Sequence, residues 1–298
     1  MKTLLSGTGV ALVTPFQNGS VDHERLKQLV DHVIDGEVDF IVALGTTGEA
    51  PTLSLDERRA VYDTILEHNN GRVPVVAGSF GGNNTAVIQQ HLRDFNFDGF
   101  AAIMSSSPSY SKPSQEGIYQ HYMALAEAAP LPILIYNVPA RTGSNVEPET
   151  ALRLAEAGPE NFCGIKEAAG DIHQADALLR HRPTDFSVLC GDDPLALSMI
   201  AHGADGAVSV IANALPEVFS ELVRTAREED LTSARDFHGQ MAAIHPWLYV
   251  EGNPVGLKVM MELLDLCSSE VRLPLVPMSA EGRAGLEQVV RDALMVGF

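Results

Sequence analysis

The sequence predicts an α/β protein in which eight parallel strands close into a (β/α)8 barrel, followed by a C-terminal helical extension. Short, apolar, β-branched runs alternate with segments whose apolar residues recur at helical spacing. There are eight such runs, and after the eighth only helical patterns continue. Continuous apolar strands separated by helices mean a parallel sheet buried on both faces, because each parallel connection needs a helical crossover. An open doubly wound sheet is the alternative, but no G-x-G-x-x-G follows the first run. The glycine-rich stretch 78–82 is too irregular for a phosphate cradle.

The runs fall at residues 9–14, 39–44, 73–78, 99–104, 132–136, 162–166, 186–190 and 206–210. Between the first two, Leu26, Leu29, Val30, Val33 and Ile34 make one apolar stripe over residues 22–35, which Gly36 closes. Another helix begins at Ser54, whose side chain is placed to cap the amide of Glu57 while Glu57 reaches back. Residues 216–227 complete the eighth unit. Helical patterns at 231–244, 255–264 and 280–295 form the extension, with 266–278 as a proline-punctuated loop inside it. The expected division is a barrel over residues 1–227 and a helical domain over residues 228–298.

Twenty basic and 39 acidic residues give a net charge of −19, which repels phosphate backbones and anionic lipid, so no nucleic-acid or membrane partner is expected. No apolar stretch is long enough to span a bilayer, and residues 1–7 lead into a strand-like run without a signal-peptide pattern. A cytoplasmic location is the expectation. Cys163, Cys190 and Cys267 lack C-x-x-C spacing and read as buried thiols in a reducing compartment. Lysine is scarce, with five residues against fifteen arginines, and an acid-rich, lysine-poor surface of this kind suits a halotolerant source.

In a barrel, chemistry gathers at the carboxyl ends of the strands. Four runs end in informative polar residues. The second leads into Gly45-Thr46-Thr47-Gly48-Glu49, the fourth into residues 105–113, the fifth into Tyr136-Asn137-Val138-Pro139, and the sixth into Lys166-Glu167. Alternation along the sixth strand puts Gly164 and Lys166 on one face and Ile165 on the other, so Lys166 points inward if Ile165 packs on helices. An amine held in an apolar barrel mouth loses hydration, which favours the neutral form that attacks a carbonyl to give a Schiff base. The other reading of a strand lysine is a snorkelling or ion-paired side chain. Address separates them: Lys2 is terminal, Lys27 lies on a helix's polar side, Lys112 is in a proline loop and Lys258 is in the late helical region.

Tyr136 ends the neighbouring strand, within reach of an adduct at Lys166, as a proton shuttle or as an aromatic plug. Thr46 and Thr47, flanked by glycines, offer hydroxyl and backbone donors suited to a carboxylate. A metal site is not expected. His23, His32, His68, His91, His121, His181, His202 and His238 fall in helical or connecting segments, and no H-x-H or H-E-x-x-H occurs.

Taken together, Gly45-Thr46-Thr47-Gly48-Glu49, Tyr136-Asn137-Val138-Pro139-Ala140-Arg141-Thr142-Gly143 and Gly164-Ile165-Lys166-Glu167 resemble the dihydrodipicolinate synthase family of class I pyruvate aldolases. The likeness runs from Gly9-Val10-Ala11-Leu12-Val13-Thr14-Pro15-Phe16 to Glu251-Gly252-Asn253-Pro254. It implies a TIM barrel with a C-terminal helical domain, assembled as a homotetramer, in which pyruvate forms an imine with Lys166 and no metal or organic cofactor takes part. It also implies a proton relay of Tyr136, Thr46 and Tyr110, the last lent across a subunit interface and matched at Pro108-Ser109-Tyr110. Pyruvate's carboxylate would rest on Thr47, with the Val208 backbone lining the site and Gly191 and Asn253 next in rank.

Relatives differ in the aldehyde they take. A forked, permanently charged Arg141 suits the carboxylate of L-aspartate 4-semialdehyde, its other reading being a surface ion pair. The similarity thus implies condensation to 4-hydroxy-tetrahydrodipicolinate, towards diaminopimelate and lysine. The alternatives are another pyruvate-dependent aldolase, such as an N-acetylneuraminate lyase or a hydroxyproline-pathway enzyme, and a non-catalytic barrel that binds an oxo acid. Feedback-inhibited members line an interface cleft with polar groups. Here the matching positions carry Leu55, Arg58, Val87 and Ser109, with Asn83 alone retained, so inhibition by lysine is expected to be weak or absent.

Overall fold

A computed structural model of the chain describes residues 3–296; Met1, Lys2, Gly297 and Phe298 lie outside the described residues. Eight parallel strands close into a barrel: β1 (Gly7–Ala11), β4 (Phe40–Ala43), β5 (Val75–Ala77), β6 (Ala102–Ser106), β7 (Ile133–Asn137), β8 (Phe162–Glu167), β9 (Ser187–Cys190) and β10 (Gly206–Ser209). Closure is made by β1, which pairs with β4 on one side and β10 on the other. A small antiparallel ribbon of β2 (Phe16–Gln17) and β3 (Ser20–Val21) follows β1.

Side-chain alternation sorts the strand residues into two cores. Ile41, Val75, Ile103, Ile135, Ile165 and Val188 face the helices. Phe40, Val42, Val76, Met104, Leu134, Tyr136, Leu189 and Val208 fill the barrel. Gly9 makes this filling possible, since a Cβ there would lie 2.2 Å from the Phe40 ring. On β8 the register slips: Ile133 pairs with Phe162 but Leu134 with Gly164. Cys163 is the extra residue and joins the inner core, which leaves Gly164 and Lys166 in register with the inward-facing Leu134 and Tyr136.

Every strand differs from its expected limits by at least one residue, and β1 and β6 show why. β1 begins at Gly7 and ends at Ala11, because residues 12–16 stay buried after leaving the ladder. The Asn213 side chain takes the Val13 N–H at 2.9 Å, and the Thr14 hydroxyl donates to Gly48 O at 2.7 Å. Hydropathy cannot tell such a segment from a strand. β6 runs on through Ser105 and Ser106, where the buried Ser105 hydroxyl is satisfied by Phe80 O at 2.8 Å.

The helices keep their expected seeds. In α1 (His23–Asp35), Leu26, Leu29, Val30 and Val33 are buried. Gly36 closes it for a reason other than left-handed geometry: its φ is −82°, and a Cβ there would lie 2.4 Å from Pro216 of α9 (Pro216–Arg227). The left-handed residue is Glu37, at φ 62°. α2 (Leu55–Asn69) carries the full Ser54–Glu57 capping box. Around the barrel follow α3 (Thr85–Asp94), α4 (Gln115–Ala126), the short α5 (Pro139–Thr142), α6 (Pro148–Ala155), α7 (Ile172–His181) and α8 (Ala196–Ala201).

Beyond the barrel lie α10 (Leu231–Ala242), α11 (His245–Tyr249), α12 (Val255–Leu263) and α13 (Ala280–Val296). The single helix expected over 231–244 is thus shorter, and a new one starts at His245 with Pro246 in its first turn, where a missing N–H costs nothing. No described helix is long and apolar enough to cross a membrane.

Candidate active site

Lys166 and Tyr136 are in-register partners on β8 and β7, and both point into the barrel. Lys166 is 5% exposed, and its Nζ sits 4.4 Å from the centre of the Tyr136 ring. The side chain runs past Gly191, where a Cβ would come within 3.0 Å of Lys166 Cε and 2.7 Å of Ala168 Cβ. Gly191 follows β9, tied to Glu167 O through its N–H at 2.7 Å. Its missing side chain is the space the lysine stem occupies.

A cavity of about 360 Å³ opens above, and its walls bring together Thr46, Tyr136 and Arg141, with Ser106, Val138 and Thr142 between them. Arg141 is exposed at the end of α5. Among the described residues no carboxylate pairs with it, unlike the surface arginines Arg153 and Arg180. Arg58 also lines this cavity, held by Ala50 O at 3.0 Å.

Thr47 turns away from that wall and is buried, with Asn253 Nδ2 donating to its Oγ1 at 3.0 Å. The accepted bond leaves the threonine O–H free to donate. Val208 is buried in the inner core, beside Gly9 of β1.

Tyr110 stands apart. It is 93% exposed, has a left-handed φ of 62°, and does not line the cavity of its own chain. Its loop is nevertheless well anchored. Tyr110 N donates to Thr142 O at 3.0 Å, Ser109 N to Asn83 Oδ1 at 2.7 Å, and Ser144 Oγ to Pro108 O at 2.5 Å. A tyrosine held firmly in solvent beside the Arg141 segment is a projecting group rather than a fold residue.

The sequence profile of the Dihydrodipicolinate synthetase family matches residues 4–293. The chain belongs to this family. A 4-hydroxy-tetrahydrodipicolinate synthase of Flavobacterium psychrophilum is 48% identical over 276 residues, covering 92% of this chain and 94% of that protein. Among solved structures, dihydrodipicolinate synthase from Thermotoga maritima matches with a TM-score of 0.94 at 37% identity, covering 98% of this chain and 99% of that one. The Acinetobacter baumannii enzyme, complexed with pyruvate, matches with a TM-score of 0.92 at 39% identity over 97% of this chain and 98% of its own.

Sequence reasoning gave no part to several buried polar residues that surround Lys166. Asp193, buried in the turn after β9, accepts from Val210 N at 3.0 Å and Ile211 N at 2.7 Å, clamping the Gly191 loop to the end of β10. Burial pushes its carboxyl up, opposed by those two N–H groups, the Ser209 hydroxyl and the positive charge of Lys166. Glu167 faces the helices instead, where Asn137 Nδ2 and Gln174 Nε2 donate to its Oε2 at 3.0 and 2.9 Å. Burial raises it too. Tyr249 of α11 is raised by burial and by the neighbouring charges of Asp193 and Asp192. A doublet of aspartates after a glycine at a strand end was the available signal for Asp193.

Lys258, set aside as a helical lysine, is the more deeply buried of the two inner lysines, at 0% exposure. Its Nζ is engaged by Glu49 at 2.6 Å and by Glu270 O at 2.9 Å. Among the described residues no such partner engages Lys166. Burial alone does not make an amine available; freedom from a carboxylate does. Among the described residues no group of three or more His, Cys, Asp or Glu is placed to hold a metal ion.

Proposed function

We propose that the chain condenses pyruvate with L-aspartate 4-semialdehyde to 4-hydroxy-tetrahydrodipicolinate through a Schiff base on Lys166. The supporting observation is a buried lysine amine that has no carboxylate partner among the described residues and lies against the ring of a cavity-lining tyrosine. Lys166 Nζ attacks the keto carbon of pyruvate, and loss of water gives the imine. Loss of a methyl proton gives the enamine, whose carbon attacks the aldehyde. The amino group of the second substrate then attacks the imine carbon, closing the ring and releasing Lys166.

Tyr136, Thr46 and Tyr110 carry the protons, with Tyr110 supplied by a second subunit of a homotetramer. That assignment gives its exposure in the single chain a purpose. Thr47 takes the pyruvate carboxylate, with Val208 and Gly191 shaping the pocket around the imine. Arg141 takes the carboxylate of the semialdehyde, since it lines the cavity and, among the described residues, no carboxylate pairs with its fork. Residues 1–227 act as the catalytic barrel and residues 228–298 as a helical domain. The three free, buried cysteines suit the cytoplasm.

The test is an assay of purified protein with both substrates, alongside borohydride reduction with pyruvate alone and peptide mapping. A reduced adduct on Lys166, lost in Lys166→Ala together with turnover, is the expected result. An adduct elsewhere, or turnover without Lys166, overturns the mechanism.

A further inference from the structure

We propose that Lys258 is a positioning residue for the reaction: through its buried pair with Glu49, the C-terminal extension sets the conformation of the Thr46–Thr47 turn that receives the pyruvate carboxylate. The inference rests on the carboxylate site proposed above.

The turn carries two backbone hydrogen bonds of its own, Gly48 N to Gly45 O at 3.2 Å and Glu49 N to Thr46 O at 3.1 Å, but its backbone is strained. Leu44 and Glu49, which bracket it, have φ of 53° and 50°, a left-handed conformation that side-chain-bearing residues adopt only when their surroundings impose it. Between them, Gly48 is pressed so closely that a Cβ would lie 3.1 Å from Leu12 O and from Leu44 Cα. Those bonds and the Thr14 hydroxyl at Gly48 O shape the backbone, while the side chains of Thr47 and Glu49 are placed from outside the turn.

That placement comes from the C-terminal extension. At the start of α12, Lys258 Nζ donates to Glu49 Oε1 at 2.6 Å, and both side chains are buried. The second oxygen, Glu49 Oε2, accepts from Arg272 N at 3.1 Å, and Lys258 is fixed in turn by Glu270 O at 2.9 Å. Lys258 and Arg272 both lie against the Phe16 ring, at 4.1 and 4.5 Å from its centre. Arg272 also forks onto Glu57 of α2. Immediately before α12, Asn253 grips the other side of the turn through Thr47 Oγ1. The extension therefore holds the turn at the hydroxyl of Thr47 and at the carboxylate of Glu49, two residues apart.

Stability alone is a poor reason for charges here. A buried ion pair can usually be replaced by apolar side chains of similar size without loss of stability, whereas its short, directed contact fixes relative geometry. The geometry fixed is that of the Thr47 hydroxyl, which acts on pyruvate binding; Thr46 faces the cavity, and among the described residues none of Lys258, Arg272 and Asn253 hydrogen-bonds to it, so the proton relay is left in place.

The double variant Glu49→Gln/Lys258→Met removes both charges without orphaning either. The expected result is a pyruvate KM raised about tenfold, the factor associated with one lost hydrogen bond to a charged group. Turnover at saturating pyruvate, the KM of the semialdehyde and the borohydride-trapped fraction at saturation stay within about twofold of wild type. Glu49→Gln alone, which keeps an oxygen facing Lys258, serves as the second variant and should give a smaller rise. An unchanged pyruvate KM in either variant that unfolds cooperatively overturns the proposal, as does a fall in kcat at constant KM. Absence of a trapped adduct in the wild-type protein is a different result, because it removes the Schiff-base reading itself.

Discussion

Gly191→Ala tests whether the path of the lysine stem controls activity. The added methyl would lie 2.7 Å from Ala168 Cβ, 3.0 Å from Lys166 Cε and 3.1 Å from Lys166 Cγ. Carbon atoms settle at about 3.5–4.0 Å, so relief demands displacements of roughly 0.5–1 Å. The backbone at Gly191 is not left-handed, which leaves side-chain crowding as the whole effect. Overpacking of this size costs about 1–3 kcal/mol of stability, and a misplacement of about 1 Å at a reacting amine costs on the order of a hundredfold in rate. The expected outcome is a folded protein with kcat/KM lowered on the order of a hundredfold and slowed adduct formation under borohydride. The control is Gly239→Ala in α10, where a Cβ meets nothing within 4 Å, with kinetics unchanged and a gain of up to about 1 kcal/mol. Native trapping rates in folded Gly191→Ala would refute the reasoning.

Other perturbations separate the remaining roles. Arg141→Ala should raise the KM of the semialdehyde by roughly tenfold to a hundredfold, the equivalent of about 1.5–3 kcal/mol, while pyruvate trapping persists; an equal effect on both substrates would reassign the residue. Tyr110→Phe should lower kcat in the assembled enzyme without shifting the unfolding midpoint, because a 93%-exposed side chain contributes little to the fold of its own chain. Full activity of the wild-type chain as an isolated monomer would contradict a shared tyrosine. L-lysine titrated into the assay should not inhibit below millimolar concentrations, since Leu55 and Val87 present apolar, exposed surfaces and offer no carboxylate to an ammonium group.

Acid stability gives a further test. Burial pushes His245 from its usual 6.5 down to about 4, with the neighbouring His238 charge acting the same way. It stays neutral in the folded chain while the unfolded chain takes up a proton. Its contribution is therefore present above pH 6.5 and is lost as pH falls through about 4, by roughly 3 kcal/mol. His245→Leu should flatten that part of the curve in denaturant titrations, and an unchanged slope between those pH values would exclude His245 as the source.

The barrel was legible because its strands are buried on both faces and so appear as uninterrupted apolar runs. The inward placement of Lys166 and Tyr136 was legible because a polar residue ending such a run has few structural uses. The misplaced limits of β1 and β6 share one cause: Val13 and Thr14 are buried without being strand, while Ser105 and Ser106 are strand without being apolar. Long-range polar contacts were not legible at all. Nothing near Lys258 in sequence announces Glu49, 209 positions away, and nothing near Thr47 announces Asn253, 206 positions away. The motif ending in Glu49 was readable as a motif, but its last residue serves the architecture around the turn.

Those separations also set an order of events during synthesis. β1 emerges before every other barrel strand, yet one of its edges pairs with β10, and Val13 N is satisfied by Asn213, 200 positions later. Until that stretch is made, the nascent sheet carries an open edge of the kind that invites association with other chains. The Thr46–Thr47 turn waits longer still, for α12 and Arg272. A ribosome-bound chain can thus hold most of a barrel while the Thr46–Thr47 turn is still unfinished, and the turn's last contacts arrive only once residues 253–272 are made.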